Sequence, residues 1–288
     1  MRNLIRANFV RLVHDKVFWI VTAALLILGF VILGGQYQAM KETDVTVFLE
    51  SSILGVFLLV GIALAIFAPL FIGTEYSDGT MRNKLAAGAK RTHIYFAHFI
   101  TCAIAGILID VVYLAIISSL GFALLGTLVT PVTTLLIWIA VGILLTLSWA
   151  AIFTLITMLV TSKAVSAIVC VLLAVVLMVA GSNLCMSLKE PEFYDGMVSD
   201  VVNDAEAEDG MQTQYNMQYV EKIPNPKYIP PEQRPFVQAI ADILPAGQAQ
   251  QLTWLEVPQP WRLMLYSAAI IVIANGLGVF VFRRKDLK

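Results

Sequence analysis

The residues that could do chemistry in this sequence are few, and they form no recognisable catalytic or metal-binding set. A phosphate-binding GxxxxGK[ST] loop, a zinc-binding HExxH motif and a GxSxG nucleophile motif are all absent. Cys102, Cys170 and Cys185 lie in apolar runs without CxxC or Cys/His spacing, which indicates small packing side chains rather than disulfides or a zinc site. We therefore expect no catalytic residue, no metal site and no cofactor bound by this chain.

One carboxyl group, that of Asp110, lies deep inside an apolar run. A carboxyl group at membrane depth is costly and is by default a functional hypothesis. Asp110 could line a substrate or proton path, or it could hydrogen bond to a neighbouring helix and fix its packing. The packing interpretation is favoured, because a proton path needs a chain of such groups and no second acid lies in the middle of an apolar run.

A short basic segment, TEYSDGTMRNKLAAGAKRTHIY at residues 74–95, separates two apolar runs. Thr80 is a favourable N-cap residue and Gly88 a favourable residue just beyond a helix C-terminus, so the pattern predicts about two helical turns over residues 81–87. The basic residues of the segment are Arg82, Lys84, Lys90 and Arg91. Membrane topology alone accounts for these charges, but the capped boundaries indicate a rigid element rather than a flexible linker. His93, within this segment, and His98, just after it, are predicted to be interfacial side chains.

Six apolar stretches surround these residues and are long enough to cross a membrane. The chain is 59% hydrophobic and only 14% charged, and a bilayer core needs roughly 20 apolar helical residues. The stretches are residues 17–35, 51–73, 94–120, 132–160, 164–186 and 261–282. A β-barrel would show alternating rather than continuous apolar residues. We predict an all-α membrane protein with six transmembrane helices, preceded by an amphipathic N-terminal helix. No cleavage site precedes Gln36, so the first stretch is predicted to be retained.

The distribution of positive charge predicts the orientation of these spans. Thirteen of the 19 Lys and Arg residues flank one side of the predicted spans and six flank the other. Because cytoplasmic flanks are enriched in Lys and Arg, both termini and the basic segment are expected to be cytoplasmic. The predicted location is a cell membrane, which the chain crosses several times.

Residues 187–260 form the one large hydrophilic region and divide the chain into residues 1–186, 187–260 and 261–288. The region holds twelve acidic residues and is expected to be extracytoplasmic. Within it lies an acidic cluster of Asp204, Glu206, Glu208 and Asp209. We interpret this cluster as a solvated face; the alternative is that it binds cations or a basic substrate. Apolar residues at helical spacing over residues 236–244 predict a short amphipathic helix that Pro245 ends.

This layout resembles the ABC-2 type transporter permease family, the membrane subunits of bacterial ABC exporters. The stretch GTEYSDGTMRNKLAAGAKRTHIYFAHF, residues 73–99, is similar to that family's exit from the second span and coupling loop, with an acid-x-x-x-Gly-Thr pattern. The stretch DILPAGQAQQL, residues 242–252, is similar to a segment before the last span of bacterial members.

The resemblance implies a cytoplasmic coupling helix between spans 2 and 3 and a homodimer of permease subunits docked to two copies of a separate ATP-binding-cassette subunit. ATP and Mg would bind to that partner, whose closure would push on the N-terminal helix and the coupling helix; no nucleic-acid partner is expected. Substrates would be peptides, antibiotics or other amphiphilic molecules. The residues expected to contact or brace the ATPase are Glu75, Gly79, Thr80, Met81, Arg82 and Lys84.

Three other functions are compatible with the same residues. A non-transporting membrane sensor or anchor would use the acidic region at residues 187–260 to bind a peptide or a partner protein. A proton-coupled carrier would use Asp110. An intramembrane enzyme is the weakest alternative, because no nucleophile–base pair is visible.

Overall fold

A computed structural model describes residues 1–43, 47–201 and 215–285 of the 288-residue chain. The elements in chain order are α1 (Arg2–Val13), α2 (Lys16–Thr43), α3 (Leu49–Leu54), α4 (Val56–Ser77), α5 (Thr80–Ala86), α6 (Arg91–Leu124), α7 (Val132–Leu159), α8 (Lys163–Lys189), β1 (Phe193–Val201), β2 (Tyr215–Pro224), α9 (Arg234–Ile243), α10 (Pro245–Thr253) and α11 (Pro260–Arg284).

Six helical segments of the described chain are long and apolar enough to cross a membrane: α2, α3 with α4, α6, α7, α8 and α11. This confirms the predicted all-α membrane fold. Because side chains and backbone in lipid must satisfy their polar groups internally, continuous helices follow directly from the apolar runs. We call the end of the bundle that holds α1 and α5 the α5 end, and the opposite end, which holds α10, the α10 end.

Helix α4 forms the centre of the bundle and packs against α2, α6, α7 and α8. Glycines permit close approach at its contacts: Gly61 lies against the ring of Trp149, and the ring of Phe57 lies against Gly142 of α7. Small residues of this kind allow helices to pack closely in a membrane, where van der Waals contact drives association. The spans therefore form one tightly packed body around α4.

A buried glutamate holds the loop between α6 and α7 at the α10 end. The side chain of Glu50 is fully buried, and its Oε1 accepts hydrogen bonds from the backbone N–H groups of Val129 (2.7 Å) and Thr130 (2.5 Å). The Glu50 carboxylate therefore holds this loop against the start of α3 through two charge-assisted hydrogen bonds.

The region between α8 and α11 contains more structure than the sequence predicted. Strands β1 and β2 form an antiparallel hairpin that was not predicted. The predicted acidic cluster of Asp204, Glu206, Glu208 and Asp209 lies outside the described residues. Helix α9 is the predicted amphipathic helix; it ends at Ile243, and its C-cap Leu244 immediately precedes Pro245.

Pro245 follows the end of α9, as the sequence predicted, and it also starts the further helix α10, which was not predicted. All residues from Pro245 to Leu252 are buried among the spans, with Gly247 approaching Gly181 of α8 closely. Proline suits the first turn of a helix because its missing N–H would have no partner there.

The polar side chains of α10 stay buried because each has partners. Gln248 donates to the backbone oxygen of Asp242 (2.7 Å) and accepts from Ser267 of α11 (2.7 Å). Gln250 accepts from Ser182 of α8 (3.0 Å). A buried amide without such bonds would cost a large desolvation penalty, so this network fixes α10 between α8 and α11.

Candidate coupling site at the α5 end

Helix α5 begins at Thr80, one residue earlier than it would if Thr80 were its N-cap. Gly79 is the N-cap, with φ of +71° in the left-handed region, and Thr80 is the first helical residue. The sequence prediction of Thr80 as the N-cap is therefore wrong: its hydroxyl points back and donates to the backbone oxygen of Glu75 (3.3 Å). A glycine suits this position because a Cβ is disfavoured at positive φ.

The other end of α5 closes as the sequence predicted. Gly88 has φ of +82°, its N–H donates to the oxygen of Leu85 (2.9 Å), and the N–H of Ala89 donates to the oxygen of Lys84 (3.1 Å). These two bonds form a Schellman motif, which satisfies carbonyl groups that a helix C-terminus otherwise leaves unpaired. Helix α5 is therefore a defined element at both ends.

The carboxylate of Glu75 is the centre of a polar cluster at the α5 end. Its side chain is only 3% exposed, although Glu75 lies on the last turns of α4. Nζ of Lys84 on α5 lies 2.6 and 2.7 Å from its two oxygens, Nε2 of His98 on α6 lies 3.0 Å away, and Arg11 on α1 also pairs with it. One carboxylate thus connects four helices. We call Glu75, Arg11, Lys84, His98 and Asn8 the Glu75 cluster.

Two further contacts attach α1 to this cluster. Nη2 of Arg11 donates to the backbone oxygen of Phe71 (2.6 Å), and its guanidinium lies 3.7 Å from the centre of the Phe71 ring. Asn8 accepts a hydrogen bond from Nζ of Lys84 (3.3 Å), and Asn8 and Leu12 are the buried residues of α1. Helix α1 therefore packs on α6 and is joined to α4 and α5 through these charged and polar contacts.

The sequence prediction for His98 is wrong, because His98 is fully buried in the Glu75 cluster rather than interfacial. No local pattern relates Arg11 or His98 to Glu75, since 64 and 23 residues separate them along the chain. The only sequence signal for these two residues is that polar side chains are scarce beside the apolar runs. A polar side chain in such a position must find a partner within the protein.

The predicted coupling residues separate into two groups. Glu75 and Met81 are buried and Lys84 is half-buried, so these three hold α5 in place. Thr80 and Arg82 are exposed and Gly79 is half-buried at the start of α5, so these three are available to a partner.

A cleft of about 540 Å³ lies between α1 and the end of α5. The charged side chains of its lining are basic: they are Lys90 and Lys84, of which Lys84 also pairs with Glu75, and His93 adds an imidazole. The full lining is Met1, Asn3, Leu4, Lys84, Ala87, Gly88, Ala89, Lys90 and His93. An acidic or phosphorylated group is the electrostatic complement of such a surface.

A second set of contacts ties the start of α6 to the C-terminal end of α11. Arg91 donates to the backbone oxygen of Phe282 (3.0 Å) and also bonds to that of Lys285. Nζ of Lys285 and the hydroxyl of Tyr76 both donate to the backbone oxygen of Met158, at 2.9 and 3.0 Å. Burial lowers the pKa of Lys285 to about 8. The region around α5 is therefore anchored on both sides.

Asp110 lies away from this site, between α6 and α7. It is fully buried, and Thr146 donates a hydrogen bond to its Oδ2 (2.7 Å). Gly106, one turn earlier on α6, also packs on Thr146. This arrangement supports the packing interpretation of Asp110, and it gives no support to a chain of proton-carrying groups.

Comparison with known proteins adds one match. A family model described as ABC-2 family transporter protein matches residues 4–181, which run from α1 to α8 and include α5 and every member of the Glu75 cluster. A comparison with curated proteins found no match.

Proposed function

Because this chain belongs to the ABC-2 transporter family, and is therefore a membrane permease of an ABC transporter, we propose that it is the membrane subunit of an exporter. Its cargo would be a peptide, an antibiotic or another amphiphilic molecule. The ATPase activity, with its bound ATP and Mg, would reside on a separate subunit. The permease would act as a homodimer with two ATP-binding subunits in a bacterial plasma membrane, with both termini in the cytoplasm.

The observation that carries this proposal is the Glu75 cluster. A displacement applied to α5 can move the spans only if α5 is held to them, since a disordered loop would absorb it. Glu75 connects α5 to α1, α4 and α6 through contacts with Lys84, Arg11 and His98. We infer that a push on α1 and α5 moves spans α4 and α6 as one body, which is the mechanical requirement for alternating access.

The surface that would receive the push is the exposed side of α5 together with the basic cleft beside it. Arg82 and Asn83 are exposed on α5, and the described residues offer Arg82 no ion pair. We infer that an acidic or polar surface of the ATP-binding subunit seats here, with α5 inserted into it. The charge of the cleft would speed the encounter and fix its orientation.

Affinity purification of the tagged full-length chain from its own host membranes tests this proposal. We expect an ATP-binding-cassette subunit to co-purify with it, and deletion of residues 80–87 to abolish both this association and export while the permease still inserts. If the subunit still associates and export continues without residues 80–87, the coupling role of α5 is refuted.

Two point variants separate docking from transmission. Arg82→Ala removes an exposed charge and should weaken association with the ATP-binding subunit while α1 stays docked. His98→Leu removes a hydrogen-bond partner of Glu75 from inside the cluster, but leaves both the exposed face of α5 and the lining of the basic cleft unchanged. It should permit association, yet lower transport per ATP hydrolysed.

A further inference from the structure

A second charged cluster occurs at the α10 end, around the last residue of α8. Nζ of Lys189 lies 2.9 Å from Oε1 of Glu256 and 3.9 Å from the centre of the Trp254 ring. The ammonium group therefore sits against a carboxylate and the face of an aromatic ring, which are the two features that bind organic cations in proteins.

The turn after α10 presents these two groups together. The N–H of Leu255 donates to the oxygen of Leu252 (3.1 Å), and the N–H of Glu256 donates to that of Gln251 (3.0 Å). Leu255 adopts φ of +60°, the one positive value among the described non-glycine residues. This closed turn holds Trp254 and Glu256 in a fixed relation.

The cluster lines a cleft of about 210 Å³ between α8, α9 and α10. The cleft is lined by Cys185, Leu188, Lys189, Gln238, Gln251, Trp254, Glu256 and Pro258. Gln238 and Gln251 at its wall are held in place by hydrogen bonds to Asp242 (2.7 and 3.1 Å). An apolar surface, two amides and a carboxylate thus converge on one small space.

We propose that this cleft binds the ammonium group of a cationic ligand, and that Lys189 occupies the site in the ligand's absence. The ligand class is a primary amine on an unbranched alkyl stem, such as the lysine side chain of a peptide. The inference deepens the proposed function by naming a class of cargo, and it rests on that function for the step from ligand to cargo.

A ligand amine can replace the Lys189 ammonium because the contacts of Lys189 with Glu256 and Trp254 are weak. The side chains of Lys189 and Glu256 are 43% and 58% exposed. Ion pairs and cation–π contacts at such exposure contribute little, since water screens both. A ligand that makes the same two contacts can therefore displace the lysine and leave it free in solvent.

The experiment measures binding of acetyl-Gly-Lys-Gly-amide to the purified full-length permease in phosphatidylcholine nanodiscs, without ATP. Binding is read as a saturable rise in melting temperature, because a ligand that binds only the folded state stabilises it. Acetyl-Gly-norleucine-Gly-amide, which has the stem without the charge, is the control peptide and should give no rise.

Because Lys189 occupies the site in the free protein, removing its side chain should strengthen ligand binding rather than weaken it. Lys189→Ala empties the site and should lower the dissociation constant for the lysine peptide by about tenfold relative to wild type, from the combined size of the two internal contacts. Lys189→Met removes the charge but keeps a side chain over Trp254, so it should gain less. Glu256→Gln and Trp254→Leu, each combined with Lys189→Ala, should remove most of the gain.

An unchanged or weaker affinity in Lys189→Ala, with the variant folded as judged by gel filtration and a cooperative melting transition, overturns the proposal. That result means that Lys189 only fastens α8 to the turn after α10. Binding is measured without the ATP-binding subunit. Failure of this site therefore leaves the export proposal standing, and failure of ATPase association leaves this site intact.

Discussion

Replacement of Glu75 by glutamine should release α1 from the bundle while the spans remain folded. Glutamine has the same shape as glutamate, but it cannot neutralise Arg11 and Lys84, and its amide would face donors rather than acceptors. Breaking a buried ionic network by removing one partner costs about 3–5 kcal/mol.

The cost is smaller here, because the side chains of Arg11 and Lys84 are 33% and 19% exposed and can turn towards water. We take about 2–4 kcal/mol as the free-energy change for undocking α1. At about 1.4 kcal/mol per factor of ten, the equilibrium constant for undocking should rise roughly 30- to 700-fold.

Thiol labelling at Leu12 measures this equilibrium. Leu12 on α1 is fully buried, so Leu12→Cys should react slowly with a maleimide while α1 is docked. The native cysteines Cys102, Cys170 and Cys185 are buried as well, and the same chain without Leu12→Cys gives their background rate. Adding Glu75→Gln should accelerate labelling by the factor above.

Glu50→Gln is the matched control, because Glu50 is also a buried glutamate of the second span but lies at the α10 end. It should leave labelling at position 12 unchanged. If Glu75→Gln changes the labelling rate by less than twofold in a folded permease, then Glu75 does not hold α1, and the mechanical interpretation of the cluster is wrong.

Three further predictions address other parts of the molecule. Gly79→Pro should abolish ATP-driven transport in an export assay without preventing insertion, because proline fixes φ near −65° where the chain needs +71°. Gly278→Ala should destabilise the permease by about 1–3 kcal/mol in thermal unfolding, because its Cβ would overlap the Tyr95 ring; Gly276→Ala, whose Cβ meets nothing within 4 Å, should not. Asp110→Asn should retain transport, since an amide can still accept the Thr146 bond; loss of transport with ATP present would instead favour a proton-coupled carrier.

The spans were predictable because their signal is local. A continuous apolar run of about 20 residues has few stable alternatives to a membrane helix. The C-terminal boundary of α5 was predictable for the same reason, since Gly88 carries its own conformational preference. The start was misplaced because Thr80 and its neighbour Gly79 both suit an N-cap, and the sequence alone does not rank them.

The interior of the site was not predictable, because it depends on residues far apart in the chain. Lys84 was one of the residues expected to contact or brace the ATPase, and its pairing with Glu75 was not predicted. Helix α10 was missed because Pro245 and three glutamines are typical of a loop. They form a buried helix only because Asp242, Ser182 and Ser267 supply partners. Such pairing is a property of the assembled fold, not of any short window of sequence.

The Glu75 cluster also bears on how the chain is made. Its members are synthesised in the order Asn8, Arg11, Glu75, Lys84 and His98, so α1 leaves the ribosome long before the last member exists. At about 5–20 residues per second, the delay between Arg11 and His98 is roughly 4–17 s. Until Glu75 has been synthesised, α1 has a basic face and an apolar face but not the carboxylate that Arg11 pairs with in the folded chain, and the membrane surface is an environment that suits both faces. We therefore expect docking of α1 to be a late step of biogenesis, completed only after the third span has entered the membrane.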